Sequence, residues 1–296
     1  MKKLAILFIS VLMAQYSFAE AVVSGTASVV DANTGFDLPL AVSGANSPSS
    51  EAKEAEKESV SINAQMEIVA TVKHEEDAQL PYTIDVSYPQ ITGENLSTQA
   101  KEFNRLVNEM VSKSVQQFKN YVKADMPHMQ TLPESVKHNG FNINYDIDVV
   151  KPVNHILISL RLSIEGMQAG RAHPYHTHQV LNFDLNKGKV LTLKDLFKSR
   201  ANYLSVFAKY ASKELNDKLQ DKWMINDGTA PLAKNYQLWN LEDDGILITF
   251  EEYQVAPYAA GPQEVEVPYS LLKNLVAPDA PIAVCAKAAT GCTVEN

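Results

Sequence analysis

Residues 141–164 read FNINYDIDVVKPVNHILISLRLSI. Phe141, Ile143, Tyr145, Ile147 and Val149 alternate with Asn142, Asn144, Asp146 and Asp148, and Ile156, Ile158, Leu160, Leu162 and Ile164 share one parity further on. Successive side chains of a strand point to opposite faces, so this period of two predicts strands with one face on a core and the other in water. The same signal recurs in YTIDVSY (residues 82–88), where Tyr82, Ile84, Val86 and Tyr88 alternate with Thr83, Asp85 and Ser87. THQVLNFDL (177–185), KVLTL (189–193), YQLWNL (236–241) and GILITF (245–250) add four candidate strands. NKG at 186–188 and EDDG at 242–245 read as hairpin turns.

Two stretches switch to helical spacing. Across residues 97–123, Phe103, Val107, Met110, Val111, Ser114, Phe118 and Val122 recur every three or four positions. Asn95 or Ser97 is placed to cap the start, and Pro127 stands just past the expected end. Residues 200–219 repeat the pattern with Tyr203, Val206, Phe207, Tyr210 and Leu215 inward. Antiparallel strands with segregated helices predict an α+β fold, an antiparallel sheet with two amphipathic helices packed on it.

The flanks read differently. Residues 1–19 have Lys2 and Lys3, an apolar run from Leu4 to Met13, and Ser17-Phe18-Ala19, the form of an export signal peptide. No other segment has transmembrane length and purity, so no membrane span is expected after signal removal. Residues 20–78 are rich in Ser, Ala, Gly and charge and read as a flexible low-complexity leader, with room for one short strand near QMEIVATVKH (65–74). Residues 79–277 form one domain, large enough for a real core. Residues 278–296 are a tail in which Cys285 and Cys292, the only cysteines, are expected to close a local disulfide. That ring lies outside the expected core, stiffening the tail alone and restricting the chain by roughly 2–3 kcal/mol at most.

The chain carries 26 basic and 35 acidic residues, a net charge of −9, and loss of two lysines with the signal brings it to −11. Such a balance disfavours nucleic acid, whose phosphates demand Lys and Arg, and favours a cationic partner. The expected compartment is periplasmic or extracellular, in a bacterium.

Chemistry-bearing motifs are sparse. His173, His176 and His178 fall within six positions, and His176 and His178 would share one strand face about 7 Å apart at ~3.3 Å rise per residue. With Asp184 or Glu165 they compose a possible metal set for a metal-assisted hydrolase. HxxHxH matches no familiar zinc spacing, however, and helical HExxH, G-x-S-x-G, S-x-x-K and Gly-rich phosphate loops are absent. No cofactor is called for. Asp146 with Asp148 and Glu251 with Glu252 read as ordinary acids on a wet strand face. Trp223, Tyr236, Trp239, Tyr253 and Tyr258 read either as core or as a binding face. The candidate ligand-binding residues are two loops, Gly170, Arg171, His173, Tyr175, His176 and His178 in one, and Tyr253, Pro257, Tyr258 and Gly261 in the other.

GRAHPYHTHQVLNFDLNKGKVLTLKDLF, ITFEEYQVAPYAAGPQEVEVPYSLL and, upstream, YTIDVSYPQITG with FNRLVNEMV together resemble the domain-of-unknown-function family 3298 (DUF3298) and its usual N-terminal partner, family 4163 (DUF4163). The resemblance spans about residues 80–277. Where the family's loop carries two glycines before Ala-His, this chain has Gly170-Arg171-Ala172-His173. The resemblance implies an α+β domain and a role in binding, since the module serves as the extracytoplasmic, lysozyme-binding sensor of an anti-sigma factor and adjoins a deacetylase's separate catalytic domain. It thus implies an exported, non-enzymatic envelope protein whose partner is a lysozyme, another cationic protein or peptidoglycan. The alternatives are the metal-assisted hydrolase acting on cell-wall material and a structural envelope component.

Overall fold

A computed structural model describes residues 59–77, 79–219, 222–288 and 291–292. The alternating stretches form a seven-stranded sheet of β1 (Val60–Asn63), β2 (Met66–Asp77), β3 (Tyr82–Thr92), β4 (Asn139–Val150), β5 (Leu157–Met167), β6 (Tyr175–Asp184) and β7 (Lys189–Val190), laid down in chain order. Every neighbouring pair is antiparallel except β3 with β4. That parallel pair needs a crossover, supplied by the 32-residue helix α1 (Thr98–Met129).

The register follows the side-chain parity. Ile143 lies opposite Ile164 and Ile147 opposite Leu160, so the apolar sets of β4 and β5 share one face. Phe103, Val107, Val111, Phe118 and Val122 of α1 bury against that face with Tyr82, Ile84, Val86 and Tyr88. Full burial of each such side chain is worth about 1.5–3 kcal/mol, which makes this layer the main source of the sheet's stability. The Ser97 hydroxyl accepts from the Ala100 N–H at 3.1 Å and caps the helix. Pro127 lies inside α1, because buried Met129, whose sulfur accepts from Asn139 Nδ2, holds the last turn in place.

A second sheet, ordered β10–β9–β8, comprises β8 (Trp239–Leu241), β9 (Gly245–Phe250) and β10 (Gln263–Pro268). One of its faces is apolar: Leu241, Ile246, Ile248, Val265 and Val267 form a second core with Phe207, Ala211 and Leu215 of helix α3 (Tyr203–Lys218). Opposite residues share a face, and Asn240 pairs with Leu247, Leu247 with Glu266, and Thr249 with Glu264. This polar face lies over the outward residues of β4, β5 and β6. Asn240 Nδ2 and Leu241 N donate to Ser159 Oγ, Asn182 Nδ2 donates to the Trp239 carbonyl, and Arg161 reaches Thr249 and Glu264. The α+β expectation holds.

Several boundaries differ from the sequence reading. Of the stretch 20–78 assigned to a flexible leader, residues 60–63 and 66–77 are β1 and β2, the second extending the short strand expected near 65–74; β2 pairs with β3 along Glu67–Thr92 to Asp77–Tyr82, and Ile62 and Ile68 are buried. Composition averaged over 20–78 conceals this strand, which is held by backbone pairing rather than by many apolar side chains. The remaining leader and the signal fall outside the described residues. The tail is also integral: Ala280, Ile282, Ala283, Cys285, Ala286 and Cys292 bury in the second core. The expected Cys285–Cys292 disulfide is present. The Cys292 N–H donates to the Asp243 carbonyl at 2.7 Å, so the ring lies against the β8–β9 turn and not outside the core. Alanines pack closely without long side chains, which a search for large apolar residues overlooks. KVLTL pairs only at Lys189–Val190 before a Thr192–Asp195 capping box opens α2 (Leu193–Leu196). YQLWNL keeps three strand residues, preceded by a 3-10 turn, and α4 (Lys222–Gly228) and α5 (Tyr269–Leu272) complete the helices.

Candidate functional site

Parity places the histidines. His176 lies opposite Glu165 and His178 opposite Ser163, so both project from the face of β6 that the second sheet overlies. Directly after β9 come Glu251 and Glu252, and they meet the two imidazoles. His176 Nδ1 is 2.7 Å from Glu252 Oε1 and its Nε2 is 3.6 Å from Glu165 Oε2. His178 Nδ1 is 3.1 Å from Glu251 Oε2, and the His178 backbone N–H donates to Glu251 Oε1 at 2.7 Å. Burial works to raise the Glu251 carboxyl, but hydrogen bonds from the His178 side chain and backbone and from Thr177 outweigh it and hold the group below its ordinary value.

The two candidate loops converge here. The Tyr258 ring lies 4.2 Å from the His173 ring, and its hydroxyl donates to the Pro174 carbonyl at 2.9 Å. A pocket of about 350 Å³ results, lined by His176, His178, Glu165, Glu252, Tyr258 and Gly261 among others. Tyr253 stands at its rim, 60% exposed, 6.0 Å from the Tyr258 ring and held at φ 64°. A non-glycine residue is uncommon in that backbone conformation, which marks a locally strained turn beside the pocket. Exposed Pro257 opens the 3-10 turn at Tyr258–Ala260, and Gly261, at φ 65°, closes it.

Three expected residues lie elsewhere. Arg171 interacts with Tyr121 of α1, on the opposite face of the sheet. Tyr175 has the opposite parity to His176, and its ring occupies the space above Gly166, where an added Cβ would come within 2.3 Å. Gly170, at φ 73°, shapes the loop, with its N–H on the Val136 carbonyl. Tyr236 and Trp239 belong to the second core. As for a metal, His176 faces Glu252 and Glu165 while His178 faces Glu251, and Asp184 is buried at the far end of β6, capping the 185–187 turn. No group of three or more His, Cys, Asp or Glu among the described residues is arranged to hold a metal ion.

Sequence reading missed a second site. Between the sheets lies a cleft of about 810 Å³ lined by Asp146 and Asp148 of β4, Arg161 of β5, Asn240 and Glu242 around β8, Leu247 of β9 and Glu264 of β10. Among the described lining residues Arg161 is the one cation, with a side chain 13% exposed that pairs with Asp146 and Glu264. Burial, then Glu266, Asp148 and Glu264, push the Glu242 carboxyl up to about 7. Burial, then Asp243 and Asp146, also raise Asp148. The signal available in the sequence was Arg161 itself, a lone guanidinium in an alternating strand whose parity matches the acids of β4.

The family described as "Protein of unknown function (DUF3298)" matches residues 194–270, which run from α2 to the start of α5. The segment carrying the second sheet is thus the part of the chain that resembles this family. Peptidoglycan-N-acetylmuramic acid deacetylase PdaC of Bacillus subtilis (strain 168) is 29% identical over 196 residues, covering 64% of this chain and 38% of PdaC. Anti-sigma-V factor RsiV of the same organism is 26% identical over 214 residues, covering 69% of this chain and 68% of RsiV. The chain thus spans well under half the length of the deacetylase it resembles. A crystal structure of a DUF3298-family protein from Bacteroides fragilis superposes with a TM-score of 0.56 at 17% identity, covering 74% of this chain and 96% of that one, a likeness of fold.

Proposed function

We propose that this protein is an exported, non-enzymatic binding module of the bacterial cell envelope, and that it captures a cationic protein, with lysozyme as the first candidate. The observation that carries this reading is the convergence of the two loops. An exposed aromatic, Tyr253, is held by its backbone beside a second aromatic, Tyr258, at the rim of a pocket bearing Glu165 and Glu252. Tyr anchors flanked by carboxylates fit a partner surface rich in Arg and Lys, through stacking and charge-assisted hydrogen bonds. The net charge of −9 adds long-range attraction. Similarity to the anti-sigma factor RsiV supports a sensing or capture role, and the signal-like residues 1–19 support export. No helix among the described residues is long and apolar enough to cross a membrane. In this reading β1–β7 with α1 are the DUF4163 partner, and the paired imidazoles and carboxylates shape the recognition pocket and do not act on a substrate.

The test is calorimetric titration of the whole chain with a chicken-type lysozyme at low and physiological salt. Micromolar or tighter binding that weakens with salt, and at least tenfold in Tyr253→Ala, is expected. Absence of binding at both salts refutes the lysozyme reading.

A further inference from the structure

The inter-sheet cleft is a different place with different chemistry. It holds four carboxylates, Asp146, Asp148, Glu242 and Glu264, against one guanidinium. Arg161 is already committed to Asp146 and Glu264, and neither Asp148 nor Glu242 makes an ion pair among the described residues. Acids alone define no site, but Asn240 does more. It is 4% exposed, it lines the cleft, and its Oδ1 has no hydrogen-bond partner among the described residues.

The orientation of that amide is fixed by its neighbours. Asn182 Nδ2 donates to the Trp239 carbonyl at 2.8 Å, so Asn182 Oδ1 is the atom facing Ser159, and it accepts the hydroxyl proton at 2.9 Å. With its proton committed, Ser159 Oγ can only accept, from Leu241 N at 2.8 Å and from Asn240 Nδ2 at 2.9 Å. Flipping Asn240 would draw the Ser159 hydroxyl away and leave Asn182 Oδ1 only the longer 3.2 Å bond from Leu241 N in place of its 2.9 Å one. Its Oδ1 is therefore turned away from the network, an unmet buried acceptor that is costly to leave without a donor.

We propose that this cleft binds an aliphatic ammonium ligand of the polyamine type, one ammonium lying between Asp148 and Glu242 with an N–H to Asn240 Oδ1 and another toward Glu264. A divalent metal does not fit, because no three carboxylates converge on one point among the described residues. Carboxylates spread along a channel match instead a ligand whose charges are separated by methylene segments, and Leu247 and Val60 supply apolar surface for those segments. The volume of about 810 Å³ lies within the range of small-molecule sites. Ligation also couples to a proton. Glu242 faces Asp148 from β4, Glu264 and Glu266 from β10 and Arg161 from β5, and it titrates at about 7. A bound cation favours the charged carboxylate, so binding at neutral pH releases protons. The same chemistry reaches the cleft from a free polyamine or from a lysine side chain of a bound protein.

The test is titration of the whole chain with spermidine, with a tri-lysine peptide and with magnesium chloride, in two buffers of different ionisation enthalpy. One-to-one binding is expected, at least tenfold weaker in Glu242→Gln and in Asp148→Asn, unchanged in Glu165→Gln, and with a heat that depends on the buffer. Preference for spermidine identifies a free polyamine as the source, and preference for tri-lysine a protein side chain. Both variants are isosteric, thermal unfolding shows that they fold, and either one suffices. The proposal is overturned if neither amine saturates, if magnesium binds as tightly, or if Glu165→Gln weakens binding as much as the cleft variants. The inference does not rest on lysozyme capture: failure of that reading leaves spermidine binding intact, and Tyr253→Ala separates the two.

Discussion

Glu242→Gln should stabilise this protein, and only above mildly acidic pH. In the folded state the Glu242 carboxyl titrates at about 7 instead of its ordinary 4.5, chiefly through burial and then through Glu266, Asp148 and Glu264. Between those two values the folded chain binds more protons than the unfolded chain, so stability falls as pH rises, and the full penalty is present above about 7. At about 1.4 kcal/mol per pH unit the upper bound is about 3 kcal/mol, and halving it for partial solvent screening leaves about 1–2 kcal/mol. Glutamine copies the protonated acid without its titration. Urea unfolding of wild type and variant at about pH 4 should therefore coincide, and at about pH 8 the variant should be more stable by that 1–2 kcal/mol. Because Asp148 contributes to the shift, Asp148→Asn should remove part of the gain, and the double variant should fall short of additivity. A variant that is no more stable at about pH 8, or equally stabilised at both pH values, would show that Glu242 is an ordinary hydrated carboxylate.

The neighbouring pocket should respond with the opposite sign. Glu251 titrates below its ordinary value, so it stabilises the fold above the unfolded carboxylate range, and Glu251→Gln should cost about 1 kcal/mol at neutral pH, a difference that vanishes as acid protonates the wild type. Replacing Cys285 and Cys292 together by serine should lower global stability by about 2–3 kcal/mol in calorimetric melting, whereas an isolated tail ring would leave the melting temperature unmoved. Ser97→Ala should lower stability by about 1 kcal/mol and Ser97→Asp should restore it, read by urea unfolding, because the hydroxyl meets one of the four N–H groups at the start of α1.

The parts of this fold legible in the sequence are those where one residue's environment is set by its own strand or helix. Parity in residues 141–149 and 156–164 places Phe141, Ile143, Leu160 and Leu162 on the core, and three-four spacing places Phe103, Val107 and Phe118 opposite them. What escaped depends on pairings distant in sequence. The strand expected near 65–74 was legible only as a short piece; its full length, 66–77, and the β1 hairpin before it bury few side chains of their own and exist because β3 offers a row of backbone partners. Cys285 and Ala286 are core only because the turn after β8 comes to meet them. At the pocket, the histidines were visible but their partners were not: Glu251 and Glu252 follow an apolar strand 73 and 76 positions away from the imidazoles they face. No local pattern links such residues.

The same reasoning explains why the acids of β4 looked ordinary. Asp146 and Asp148 do stand on the polar face of a strand, as alternation requires, and on a free sheet that face would be wet. Asp146 and Asp148 are indeed exposed, but the second sheet forms the other wall of a cleft and brings Glu242, Glu264 and Glu266 to face them. A purely structural interface would place apolar residues or closed ion pairs between two sheets, since unmatched buried carboxylates oppose the contact. The protein instead anchors the junction at a few points, Arg161 on one side and the Ser159–Asn182–Asn240 network on the other, and leaves half-buried Glu242 facing exposed Asp148 and Glu264 between them. Glu242 is raised by its partial burial and its acidic neighbours while one amide oxygen lacks a donor, and a cation in the cleft would relieve both at once. That a chain of net charge −9 concentrates acids where they cost stability is the physical reason to read the cleft as a place for binding rather than as packing.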